Sequence, residues 1–382
     1  MGAGRDPAAT TTTAASGLVR PTPSGAPAGS KAAPTGASPA PPTAPSAAFA
    51  GVTAPAPPTP SASPPAPAPL LADAPTTLAG VHFAGDQYRA VDVFGGGPGQ
   101  TGWAVELAYA SDGAPDAVAR RMTALHRRGF RVILRVDFAR GQHIPPTADA
   151  AAVAGYVDFV VKAVGAAGGT VRHVVVGNEG NIDEAGDDPA RNTECRLGRV
   201  TCAPEAYAAV YAAVRDALRP RGDVAVLVAG VSPGDADHPA RWMSGPDHLA
   251  AVLAILGPGD VDGVALHAYG LEQAPVPGLP AEPLAYFQAL VERQLDVMAA
   301  AGHARTPVYI TEMNEYTRPE ATFVRAAYAW LDSLNRAGRA RIRAACWFVL
   351  DGGGAWSDVA LAGRPDILAV FREVAQRYPP GR

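Results

Sequence analysis

The chain has 382 residues, 48% of them hydrophobic, enough for one large domain or two ordinary ones. Its formal net charge of −4 and pI of about 6.1 provide no polycationic surface, so a nucleic-acid or anionic-membrane partner is not expected. No apolar run is long enough to span a bilayer, which excludes a membrane-spanning protein of the helical kind.

Residues 1–75 are Ala/Pro/Thr/Ser low complexity with almost no charge or aromatic content. Such a segment cannot bury enough apolar surface to offset its ordering entropy, so residues 1–77 read as a disordered, partly extended tether. A proline-rich ligand for a binding module is the alternative. The first twenty residues have no apolar core of a signal peptide, and "MGAGRD" lacks the Ser/Thr of a myristoylation site. Cys195 and Cys202 bracket a short polar stretch and are a candidate disulfide pair, whereas Cys346 sits in the apolar run "AACWFVL". A disulfide and a stalk of this composition suit an extracellular or cell-surface setting, although the missing signal peptide argues the other way.

Residues 78–382 read as a single α/β domain. "GVHF" (80–83) is a short strand. "DQYRAVDVF" (86–94) places Tyr88, Val91 and Phe94 at helical spacing before a glycine-rich stop, and is taken as a short helix; read as a strand, it would raise the strand count to nine. Strands follow at 102–109, 130–138, 171–178, 223–230, 261–269, 306–312 and 341–350. Helices are expected at 114–129, 147–166, 204–218, 245–256, 281–301, 319–337 and 365–377, with a long insertion over 180–203. Near-continuous apolar strands, each followed by a helix, imply a parallel sheet covered on both faces. Eight such units in roughly 300 residues fit a closed (β/α)8 TIM barrel better than an open sheet.

Three motifs do not survive their context. "GPGQTG" (97–102) has the glycine spacing of a dinucleotide fold, but a strand follows it where a helix is needed, so no cofactor is expected. "GVSPG" (230–234) has the spacing of a nucleophile elbow, but Pro233 lacks the N–H that an oxyanion hole needs after Ser232. The acidic "NIDEAGDDPARNTE" (181–194) lacks EF-hand spacing, and the histidines form no zinc motif, so no metal is expected.

In a barrel of this kind, chemistry sits at the C-terminal ends of the strands. Those ends carry Arg135 and Asp137 on strand three, Asn178 and Glu179 on strand four, His267 and Tyr269 on strand six, Glu312 on strand seven, and Trp347 on strand eight. Two carboxylates at one barrel mouth, flanked by aromatics, suit cleavage of a glycosidic bond. One acid protonates the leaving oxygen while the other meets the oxocarbenium-like anomeric carbon. The ordered set "GNE", "HAY", "ITE" and "W" on strands four, six, seven and eight resembles clan A glycoside hydrolases, retaining barrel enzymes of the cellulase-like superfamily, over residues 78–377.

That resemblance implies Glu179 as general acid/base and Glu312 as nucleophile of a retaining glycoside hydrolase acting on a β-linked oligo- or polysaccharide. It implies that Asn178 holds the sugar 2-hydroxyl, that His267 and Tyr269 position substrate or nucleophile, and that Trp347 floors the subsite of the cleaved sugar. A monomer is favoured. The chain departs from the clan at Gly180, where proline is usual, and on strand two, where "AVELAYAS" lacks the usual arginine; Arg135 on strand three is the candidate replacement. Glu315 is a rival nucleophile just beyond "ITE". Two other readings stay open: an inactive carbohydrate-binding barrel, for which the missing arginine speaks, and a transglycosidase using the same carboxylates.

Overall fold

The computed structural model describes residues 77–83, 93–94, 102–182, 203–234, 243–271, 276–316, 319–351 and 358–381. The tether up to Thr76, the Cys195–Cys202 pair and all but the end of the predicted 86–94 helix lie outside these residues. Eight apolar runs form parallel strands: β1 (Ala79–Phe83), β2 (Gly102–Tyr109), β3 (Phe130–Asp137), β4 (Val171–Val176), β5 (Ala225–Val228), β6 (Gly263–Tyr269), β7 (Val308–Asn314) and β8 (Ile342–Phe348). Each pairs with the next, and β1 pairs with β8, so the sheet closes into a barrel. Val93 and Phe94 belong to no strand, so the count among the described residues is eight rather than nine.

Among the described residues seven α-helices pack outside the barrel: α1 (Pro115–Arg127), α2 (Ala150–Ala166), α3 (Pro204–Leu218), α4 (Gly245–Leu256), α5 (Pro283–Ala300), α6 (Ala321–Arg336) and α7 (Pro365–Arg377). Their starts follow local chemistry. Pro115, Pro204, Pro246, Pro283 and Pro365 sit in first turns, where a missing N–H costs nothing. The Asp149 carboxylate caps α2 by accepting from the N–H groups of Ala151 and Ala152 at 3.0 Å. Among the described residues no helix is long and apolar enough to cross a membrane.

The barrel interior is a packed core. Near the N-terminal ends of the strands, Trp103, His173 and Tyr309 meet with ring centroids 5.1–5.6 Å apart. Burial, reinforced by nearby arginines, lowers His173 to about 3 and keeps it neutral. This aromatic layer fills the bottom of the barrel.

Strand β7 breaks the simple alternation of inward and outward side chains. Leu266 pairs with Ile310 but His267 pairs with Glu312, and on the other side Ala345 pairs with Ile310 but Trp347 pairs with Met313. Both neighbours therefore report one extra residue in β7 between Ile310 and Met313, a β-bulge. Tyr309 faces the barrel interior, so regular alternation would turn Thr311 inward and Glu312 out toward the helices. The bulge reverses that and aims Glu312 into the barrel. The strand also runs two residues past its expected end, to Asn314.

Candidate active site

Strand β4 ends in a turn that side chains rarely accept. Gly177 has φ +71° and Glu179 has φ +28°. The Glu179 N–H donates to the Gly230 carbonyl after β5 at 2.9 Å, tying the turn to the neighbouring strand. Asn181 extends the tie: its amide nitrogen donates to the carbonyls of Ser232 at 2.8 Å and Met243 at 3.2 Å, and its oxygen accepts from the Ser232 N–H at 2.9 Å. These bonds hold the loop on either side of Gly180.

Gly230 has a second task. A Cβ there would lie 2.4 Å from Cδ2 of His267, so only glycine lets that ring pass. Across it, His267 Nδ1 meets Glu179 Oε1 at 2.8 Å and lies 3.7 Å from Glu312 Oε2. The backbone oxygen of His267 accepts from the Gln294 side chain of α5 at 2.9 Å, fixing the strand from behind.

Glu312 is surrounded by donors. Arg135 donates through Nη1 to Glu312 Oε1 at 3.1 Å, and its other face grips Asp137 through Nε at 3.1 Å and Nη2 at 2.7 Å. This fork fixes the guanidinium before it reaches the glutamate. The Tyr269 hydroxyl donates to Glu312 Oε2, and its ring stacks on Tyr316 with centroids 4.5 Å apart. One oxygen of Glu179 and one of Glu312 lie within 4.8 Å of each other, with His267 Nδ1 inside the same limit.

The charges in this cluster act on one another. Burial would raise the Glu312 carboxyl, but the His267 and Arg135 charges and the Tyr269 hydroxyl outweigh it and hold it at about 2, so it is ionised. Burial pushes His267 down, yet the charge of Glu312 and the bond to Glu179 raise it above its ordinary 6.5. The Glu179 side chain is 15% exposed and that of Glu312 7%, so Glu179 is the more open of the pair. Glu179, His267 and Glu312 are also donors of the kind that hold a divalent cation. Here Nδ1 of His267 is already engaged by Glu179, and Arg135 brings its positive charge onto Glu312.

The structure thus brings together Glu179, Glu312, His267, Tyr269 and Arg135, with Asn178 buried in the turn before Glu179. Glu315 is buried against Gly270, and the Arg135 and Tyr269 bonds go to Glu312 instead. Trp347 does not join them. It is fully buried, donates its indole N–H to the Val359 carbonyl at 3.1 Å, and meets Phe323 of α6 edge-on. The pairing of His82 with Phe348 and of Val81 with Trp347 explains this: β8 turns Phe348 into the barrel and Trp347 out to the helix layer. Of "WF" it is therefore Phe348, not the expected Trp347, that enters the barrel, where His82 stacks on it at 4.9 Å. Cys346 is buried with a free thiol, which burial pushes up and makes unreactive.

No family model matches the sequence, and no curated protein matches it. Solved structures do match the fold. A family 39 glycoside hydrolase from Bacteroides cellulosilyticus WH2 superposes with a TM-score of 0.50 at 15% identity, over 78% of this chain and 64% of that one. This chain therefore spans less than two thirds of that enzyme's length. A GH5_18 protein from Bifidobacterium longum subsp. infantis superposes with a TM-score of 0.53 at 15% identity, over 73% of this chain and 70% of that one. What this chain shares with both is the closed eight-stranded parallel barrel.

Proposed function

We propose that the protein is a retaining glycoside hydrolase that cleaves a β-glycosidic bond, with Glu312 as nucleophile and Glu179 as acid/base. The observation that carries this reading is that the two carboxylates share one barrel mouth, an oxygen of each within 4.8 Å of the other and both facing His267 Nδ1, at 2.8 and 3.7 Å. A retaining pair stands about 5–5.5 Å apart, whereas an inverting pair needs roughly 6.5–9.5 Å to admit a water between base and sugar. Glu312, held ionised by Arg135 and Tyr269, attacks the anomeric carbon as the bond to the leaving oxygen breaks, and Glu179 gives that oxygen its proton. The covalent glycosyl–enzyme then loses its sugar to a water whose proton passes to Glu179, and the two inversions restore the β configuration.

His267 links the two steps. Its contact with Glu179 lets one proton be shared between them, and the strongest charge holding that proton is that of Glu312. Esterification of Glu312 removes this charge, so the Glu179–His267 pair binds its proton less tightly when a base is needed. Arg135 stands beside the nucleophile, as the strand-two arginine of the clan does, and this favours a working enzyme over a binding-only barrel. The test is proton NMR of the first product formed from a β-linked oligosaccharide. A β-anomer that later mutarotates supports the reading; an α-anomer as first product refutes it.

A further inference from the structure

Residue His82 lies near the C-terminal end of β1 and is 2% exposed. Its direction follows from its strand. The face of Gly80 that would carry a Cβ looks onto Trp103 and Cys346, inside the barrel, and His82 is two residues further on the same face. There it stacks on Phe348, and the charges of Glu312, Arg135 and His267 all act on it. Among the described residues neither ring nitrogen has a hydrogen-bond partner, though both are shielded from solvent. A buried imidazole left so is costly, and such a group at a site mouth calls for a ligand.

We propose that His82 is a substrate-binding residue, holding a hydroxyl of the sugar that stands over Glu312 while Phe348 supports the ring beneath it. This rests on the glycosidase reading and adds a contact on β1. The chemistry selects a neutral hydroxyl over an anionic group. Burial lowers His82 to about 3 despite the opposing pull of Glu312, so at working pH it is neutral. One nitrogen then donates and the other accepts, and either one can meet an alcohol, which does both. A carboxylate or phosphate of a charged sugar would want a cation there and would be repelled by Glu312.

The test uses the full chain in a Glu312→Gln background, which leaves bound glycan uncut. Calorimetry with the tetrasaccharides of β-1,4-glucose, β-1,3-glucose, β-1,4-mannose and β-1,4-xylose identifies the one that binds. Adding His82→Phe keeps the stack on Phe348 and removes both nitrogens. The expected result is affinity weakened about three- to tenfold, the value of one net hydrogen bond, with His82→Gln recovering most of it. The binding sugar with its contacted hydroxyl replaced by hydrogen should then be held equally well by both proteins, which no packing defect would produce. If His82→Phe fails to fold, a His82→Leu variant, which also lacks both nitrogens, carries the same comparison with the deoxy series. Unchanged affinity and unchanged deoxy preference overturn the proposal and mean that a buried water serves His82. Turnover by the wild type that Glu312→Gln abolishes, together with indifference to His82, overturns this proposal alone; absence of both binding and turnover overturns the glycosidase reading with it.

Discussion

Replacing Tyr269 by Phe removes one hydroxyl and keeps the ring stacked on Tyr316. That hydroxyl donates to the Glu312 carboxylate, and a hydrogen bond to a charged group is worth about 1.5–3 kcal/mol. At 1.36 kcal/mol per pH unit, Glu312 should climb from about 2 to between about 3 and 4. The sign for stability follows. Glu312 sits below its ordinary 4.5, so its contribution is present above that value and is lost as pH falls toward 2. Tyr269→Phe should therefore be less stable than the wild type near neutrality by about 1.5–3 kcal/mol, and the gap should close in acid. The assay is a carbon-13 NMR titration of glutamate carboxyls, with the Glu312 signal identified by its loss in Glu312→Gln. The acid limb of kcat/KM should shift upward with it. A Glu312 midpoint that does not move would refute the claim that this hydroxyl holds the nucleophile ionised.

Other perturbations separate the roles of the neighbours. Glu179→Gln should slow cleavage of sugars with poor leaving groups by about 100-fold or more, and spare activated aryl glycosides in the first step, because only the former need the proton. Arg135→Met leaves the buried carboxylates of Asp137 and Glu312 facing each other without their cation, and thermal denaturation should register a loss of about 3–5 kcal/mol. Gly230→Ala drives a methyl into the His267 ring; the expected outcome is about 1–3 kcal/mol of destabilisation with a fall in kcat, since His267 leaves Glu179. Trp347→Leu should reduce stability through a cavity under α6 yet leave glycan affinity within about twofold, measured by calorimetry, because the ring faces the helices.

The barrel was legible because near-continuous apolar strands alternate with helical patterns, two signals that need no tertiary context. The carboxylates were legible as strand-end residues, Glu179 after a run of valines and Glu312 after "VYI". Their orientation was not. The β7 bulge is visible only in pairing with β6 and β8, and without it Glu312 would face the helices. The same limit led from Trp347 to Phe348: in "CWF" both aromatics are apolar and adjacent, and only the register against β1 decides which turns inward. His82 gave no sequence signal beyond one polar residue in a four-residue strand. Asn181 was read as part of an acidic loop, because a clamp between β4 and β5 depends on atoms 51 and 62 residues away.

The central claim is that Glu312 attacks the sugar and carries it through a covalent intermediate. Activated 2-deoxy-2-fluoro β-glycosides of glucose, mannose and xylose slow the second step and let that intermediate accumulate. Mass spectrometry of the digested protein should find one added sugar on the peptide containing Glu312, and fragmentation should place it on that residue. The same reagent should leave Glu312→Gln unlabelled. A sugar on Glu315, or rapid hydrolysis that yields the α-anomer and no adduct, would contradict the account.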